Sequence, residues 1–289
     1  MPFRWIRPET YAEDMPRVSA NGVDLYYEEQ GGGTSILGIH GTPSSAAMWE
    51  DAAKELSLHG RCIIYDRRGF YRSAPPEPYG TLDLADHVDD AAALLTALHA
   101  APAIVIGRST GGLIAIELAR RFPDSIKALV LLEPALFTID PAADAWARSL
   151  RHRLLGRSAG TPGLLSETVI RDGLGDSAWE SLPDGIRQML AGTSHAALAE
   201  MKGHGLDLSE DALELGEDEL AGIRQPALIL SAEDSPEACR LVNGRLAGAL
   251  PHTRTVLVAG GHFINPAHPA VLDFVNSITA DPANRSWAT

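Results

Sequence analysis

The 289-residue sequence predicts a doubly wound, mostly parallel α/β sheet that carries a helical insertion before its last two strands. Three observations lead to that expectation. Short, continuous apolar runs alternate with helical patterns, the order that builds parallel sheets. The alternation lapses between residues 137 and 222, where helical patches are interrupted by Gly and Pro and no strand pattern stands out. It then resumes for two further strand–helix pairs.

Val18–Ala20 and the alternating Val23–Glu28 flank Asn21-Gly22, the turn dipeptide of a two-residue hairpin. Ser35–Ile39 is an apolar strand leading into His40-Gly41-Thr42-Pro43. Ser44–Leu58 has helical spacing through Met48, Ala52 and Leu56. Arg61–Tyr65 reads as a buried strand with Cys62 as a buried thiol inside it. Leu84, Val88, Ala91, Leu95 and Leu98 share one face of a helix over Leu84–Leu98. Ala103–Ile106 is strand-like, and Thr110–Arg121 is a helix that is apolar except at Glu117 and its last turn. Ile126–Leu132 is the run expected of a strand covered on both faces. The pattern returns at Pro226–Ser231 (strand), Glu237–Leu250 (helix), Thr253–Ala259 (strand) and Ala270–Ile278 (helix). The expected organisation is a core of residues 1–136 and 223–289 with a helical cap over 137–222. Such a cap accounts for that stretch better than a long structureless loop. It would sit over the carboxyl ends of the strands, where open α/β sheets bind ligands.

Composition narrows the class of function. A net charge of −14 argues against a nucleic-acid or anionic-membrane partner. No apolar run approaches the roughly 20 residues of a membrane span. Met1–Met15 carries three acidic residues and no apolar stretch of the kind that leads a chain to export, so a cytoplasmic location is expected. Two cysteines, Cys62 and Cys239, make neither a disulfide framework nor a Cys-rich metal site. No cluster of His, Asp and Glu shows ligand spacing, so no metal is expected. The sequence says nothing about oligomeric state.

The strongest chemical signal is Gly107-Arg108-Ser109-Thr110-Gly111, followed by Gly112, between an apolar strand and an apolar helix. In that context the serine occupies a sharp turn that lifts its Oγ above the sheet. A serine hydroxyl needs a base within reach. His262, in Gly260-Gly261-His262-Phe263 after the last strand, is the histidine placed to supply one. His59, His87, His99, His152, His195, His204 and His252 read as solvated or helix-surface residues, and His268 as the start of a helix. An acid must orient the imidazole. Glu133, at the end of the Ile126–Leu132 strand and before Pro134, is favoured, with Asp234 as runner-up. Ser235-Pro236-Glu237 also reads as a helix start with Ser235 as its cap, in which case Glu233 and Asp234 only complement the helix dipole. The backbone N–H groups of Thr42 and Thr110 are the expected oxyanion donors, because Pro43 has none to give. His40 is expected to brace the Thr42 loop.

These motifs, together with Asp66-Arg67-Arg68-Gly69 and Ser73, resemble the α/β-hydrolase superfamily over roughly residues 18–280. The resemblance implies a Ser-His-acid triad, a helical cap between the sixth and seventh strands, and no cofactor. Leu131-Leu132-Glu133-Pro134 and Ser235-Pro236 are similar to a bacterial subgroup, including mycotoxin lactone hydrolases, in which the acid follows strand six. Arg108 departs from the His or neutral residue usual before the serine. It would either pair with a neighbouring carboxylate or touch an anionic substrate.

In the insertion, Trp146, Leu150, Leu154, Leu155, Trp179, Met189, Leu190 and Met201 are expected mostly to pack the cap, with Trp146 and Trp179 as candidate substrate contacts. The acidic stretch Glu210–Glu219 reads as a solvated helix face that would disfavour anions. The resulting expectation is a serine hydrolase of a fairly hydrophobic ester or lactone. A C–C bond hydrolase, thioesterase or lyase using the same site, or a non-catalytic small-molecule binder, are the alternatives.

Overall fold

The computed structural model describes residues 15–76, 80–158 and 161–280. The N-terminal stretch read for an export signal therefore lies, up to residue 14, outside the described residues. Among the described residues eight strands form one sheet: β1 Arg17–Ala20, β2 Val23–Gln30, β3 Ser35–Ile39, β4 Arg61–Tyr65, β5 Ala103–Arg108, β6 Ile126–Leu132, β7 Ala227–Ala232 and β8 Thr253–Val258. Their spatial order is β1-β2-β4-β3-β5-β6-β7-β8. β1 and β2 pair antiparallel across the Asn21-Gly22 turn, β2 meets β4 antiparallel, and every later pair is parallel. The order reverses between β3 and β5, so the loops after those two strands diverge and leave a crevice at the carboxyl edge.

Helices α1 (Glu50–Leu56), α2 (Leu84–Ala97), α3 (Thr110–Arg121), α10 (Glu237–Ala249) and α11 (Pro269–Thr279) flank the sheet. Between β6 and β7 lie α4 (Pro141–Ser158), α5 (Leu165–Leu174), α6 (Asp176–Glu180), α7 (Asp184–Gly192), α8 (Ser194–Lys202) and α9 (Glu217–Ala221). One core joins α2, α3 and α10 to one sheet face through residues such as Val88, Leu113 and Val242. A second joins α1 and α11 to the other face through Trp49, Leu56 and Phe274. β3, β5 and β6 are buried at nearly every position, as strands covered on both sides must be.

Three local expectations need correction. Ser44–Leu58 opens with a 3-10 turn, Ala46–Trp49, before α1, because the Ser45 side chain accepts from the Ala47 amide and tightens the start. Glu210–Glu219 is largely exposed, but only its end, from Glu217, is helical; the rest is a turn and irregular chain, with an isolated bridge from Gly205 to Ala212. His87 is not on a helix surface: it is fully buried against Arg67 and Glu200. Among the described residues no helix is long and apolar enough to cross a membrane.

Candidate active site

β3, β5 and β6 end side by side, with Ile39 opposite Gly107 and Arg108 opposite Leu132. The next residue, Ser109, has φ 55° and ψ −124°, a strained conformation for a residue with a side chain. The turn closes because its glycines carry no Cβ. A Cβ on Gly107 would lie 2.3 Å from the Gly111 carbonyl oxygen, and one on Gly111 would lie 2.2 Å from that of Ile39. The Ser109 N–H donates to the Leu132 carbonyl at 3.0 Å, and its own carbonyl accepts from Ala135 at 3.1 Å, locking the turn to the end of β6. Thr110 opens α3, where the helix itself leaves the first N–H groups without partners.

Glu133 follows β6 with φ 48° and is 1% exposed. Its Oε1 accepts from the Ala232 amide at 2.8 Å, and its Oε2 from the Ser235 hydroxyl at 2.7 Å. The same Oε2 lies 2.7 Å from Nδ1 of His262. A carboxylate at Nδ1 draws the ring proton to that nitrogen and makes Nε2 the acceptor. Of the two candidate acids, Glu133 is thus the one brought against His262, while Asp234 is exposed and its amide donates to Gly260. Ser235 does not cap α10: Pro236 takes that position, and the serine hydroxyl is spent on Glu133.

Ser109 and His262 line one cavity together with Thr42, Arg108, Trp146 and Asp207. Trp179 instead packs in an apolar cluster with Ile170, Met189 and Leu190, of which Ile170 reaches the cavity wall. Arg108 has no carboxylate partner among the described residues, contrary to the pairing considered above. Its guanidinium lies 5.7 Å from the Trp49 ring and 5.4 Å from that of Phe263, and a buried terminal nitrogen has no hydrogen-bond partner. Burial pushes its pKa down to about 10, so it remains cationic at neutral pH.

A buried polar network lies under the Thr42 loop. The Arg67 guanidinium donates to Glu200 on α8, to the Thr42 hydroxyl and to the Gly41 carbonyl. The Thr42 hydroxyl donates in turn to Glu200, which also lies 2.9 Å from His87 Nε2. Burial works to raise the Glu200 carboxyl, but the Arg67 cation and the His87 and Thr42 hydrogen bonds outweigh it and hold its pKa low. His40 does brace the loop: its Nδ1 lies 2.8 Å from the Gly41 carbonyl and its Nε2 accepts the Arg67 amide. Burial, helped by Arg67, keeps that imidazole neutral. Asp207 lies in the cavity wall, where burial and the nearby Glu200 push its carboxyl up to about 7.

Sequence reasoning missed Glu200 and the role of His87 here. The available signal was an acid between Ala199 and Met201, in a helix whose neighbouring positions are small and apolar. Glu133, Cys239 and His262 are the metal-capable side chains that cluster among the described residues. The carboxylate is already engaged by Ala232, Ser235 and His262, and burial with the Glu133 charge holds the Cys239 thiol protonated, so the set fits a metal poorly.

The sequence model of the alpha/beta hydrolase fold family matches residues 34–269, and the chain belongs to that family. The putative carbamate hydrolase RutD of Azorhizobium caulinodans is 26% identical over 276 residues, covering 90% of this chain and 96% of that one. The uncharacterized hydrolase YraK of Bacillus subtilis is 31% identical over 118 residues, and that match spans 41% of this chain and only 44% of YraK. A thermophilic esterase from Thermogutta terrifontis superposes with a TM-score of 0.72 at 25% identity, covering 92% of this chain and all of that one. The chain is an enzyme of the α/β-hydrolase class.

Proposed function

We propose that the chain is a cofactor-independent serine hydrolase that cleaves a carboxylic ester or lactone of a small, largely apolar molecule. The observation that carries this reading is the 2.7 Å contact between Glu133 Oε2 and His262 Nδ1, with His262 lining the same cavity as Ser109 on its strained turn. Ser109 Oγ attacks the scissile carbonyl while His262 Nε2 takes the hydroxyl proton. Glu133 orients the imidazole and offsets the charge it gains. The amides of Thr42 and Thr110 receive the oxyanion, each donor being worth roughly 10²–10³ in rate. His262 then returns the proton to the leaving oxygen, and water, activated by the same imidazole, releases the acyl group from Ser109.

Helices α4–α8 act as the cap over this site, and the apolar Trp146 and Ile170 form part of its wall. The esterase and carbamate-hydrolase names of similar proteins fit attack on an acyl carbon. Wild-type protein should be labelled by a fluorophosphonate and should turn over members of a panel of aryl esters, lactones and thioesters. Ser109→Ala should fold and lose both properties; labelling that persists in the variant overturns the assignment of the nucleophile.

A further inference from the structure

The Arg108 side chain has no counterpart elsewhere in the cavity wall and no part in the chemistry above. It is 4% exposed, and its buried Nη2 has no hydrogen-bond partner among the described residues. Burying a cation without a partner is costly, and the two facing rings offset only part of that cost. Ring faces near a guanidinium offer no acceptor for its in-plane N–H donors. Those donors form a rigid fork whose natural complement is a carboxylate held by two parallel hydrogen bonds.

Position limits what that complement can be. Arg108 and Ser109 are consecutive, so their Cα atoms stand about 3.8 Å apart. Both line the same cavity, as does Phe263, the ring the guanidinium faces. A group bound at Arg108 and an acyl carbon at Ser109 can therefore belong to one small molecule. Among the described residues the acids of Glu210–Glu219 are absent from this wall, and Asp207 is the acidic residue that lines it. The acidic stretch of the cap therefore does not itself line the cavity.

We propose that Arg108 is an anion-binding residue of the cavity and that the ester or lactone cleaved here carries a carboxylate, which docks on the guanidinium while Ser109 attacks the acyl carbon. The hydrolytic half of this statement rests on the function proposed above; the anion site does not.

Two measurements separate them. The first compares 4-nitrophenyl hemiglutarate with 4-nitrophenyl valerate, which share a leaving group and acyl chain length and differ in the terminal carboxylate. Wild type should favour the anionic ester in kcat/KM, and Arg108→Met should lower the anionic-to-neutral ratio by about 10- to 100-fold, the worth of a charged hydrogen-bonded contact. Arg108→Lys, which keeps the charge but loses the fork, should fall between, and it supplies the ratio should Arg108→Met not fold. The second is calorimetric titration of the Ser109→Ala protein with glutarate and with 1,5-pentanediol. Glutarate alone should bind, and adding Arg108→Lys should weaken it. An unchanged ester ratio with no glutarate binding overturns the anion site and leaves the hydrolase reading standing. Arg108-dependent glutarate binding with neither ester cleaved does the reverse.

Discussion

The Ser235 hydroxyl and Nδ1 of His262 meet the same oxygen of Glu133, each at 2.7 Å. The other oxygen is held by the Ala232 amide at 2.8 Å, so residues following or ending β6, β7 and β8 converge on one buried carboxylate. That convergence sets the expected outcome of a paired substitution. Glu133→Gln should lower kcat/KM for an activated ester by about 10³–10⁴-fold, because an amide cannot select the imidazole tautomer as a carboxylate does. Asp234→Asn, at an exposed position, should change it less than about threefold. Steady-state kinetics on the two variants decide, and a severe loss in Asp234→Asn alone would reverse the assignment.

Ser109 holds φ at 55°. Such strain costs on the order of 1–3 kcal/mol, and glycine adopts the conformation without it. Ser109→Gly should therefore abolish turnover while raising stability by about 1 kcal/mol, since the greater chain freedom of unfolded glycine removes part of the gain. Urea unfolding midpoints report the sign.

Glu200 on α8 neutralises the fully buried Arg67 and receives the Thr42 hydroxyl. Glu200→Gln leaves the Arg67 cation without its counter-charge and should destabilise the fold by about 3–5 kcal/mol. A double change, Arg67→Met with Glu200→Leu, should recover most of that stability but lower activity, because the Thr42 loop loses its anchor. Denaturant curves and kcat on the same preparations separate the two effects.

Asp207 gives a pH dependence with a definite sign. Its carboxyl keeps a proton up to about 7 when folded, while an unfolded aspartate releases it near ~3.9. Between those values the folded state holds more protons, so this residue's contribution falls as pH rises. The stability of Asp207→Asn relative to wild type should therefore grow from pH 4 to pH 7 and level off above. Thermal midpoints at pH 4.5, 6 and 8 test it, and a constant gap would mean an ordinary, solvated carboxylate.

Features set by local chemistry were the legible ones. The β6 run is Ile126–Leu132 in sequence and in structure alike, because a doubly covered strand must be apolar throughout. The turn at Ser109 announces itself by glycines that the packing demands. Glu133 was visible as an acid that no buried strand end would otherwise hold. Contacts between distant segments were hidden. Ser235 has the sequence neighbours of a helix cap, and only the arrival of β6 beside β7 gives its hydroxyl a carboxylate. His87 and Glu200 lie 113 positions apart and meet when α8 folds onto α2, which no periodicity records.

The hydroxyl of Thr42, set between Arg67 and Glu200, gives the two sides of the cavity unequal resistance to movement. Drawing α8 away would separate opposite charges in a dry interior. The pairs along α5–α7, Arg171 with Asp176 and Glu180 and Arg187 with Asp184, stand in water and are worth less than about 1 kcal/mol each. Through its charges, α8 is therefore tied to the Thr42 loop by an interaction that α5–α7 lack among the described residues.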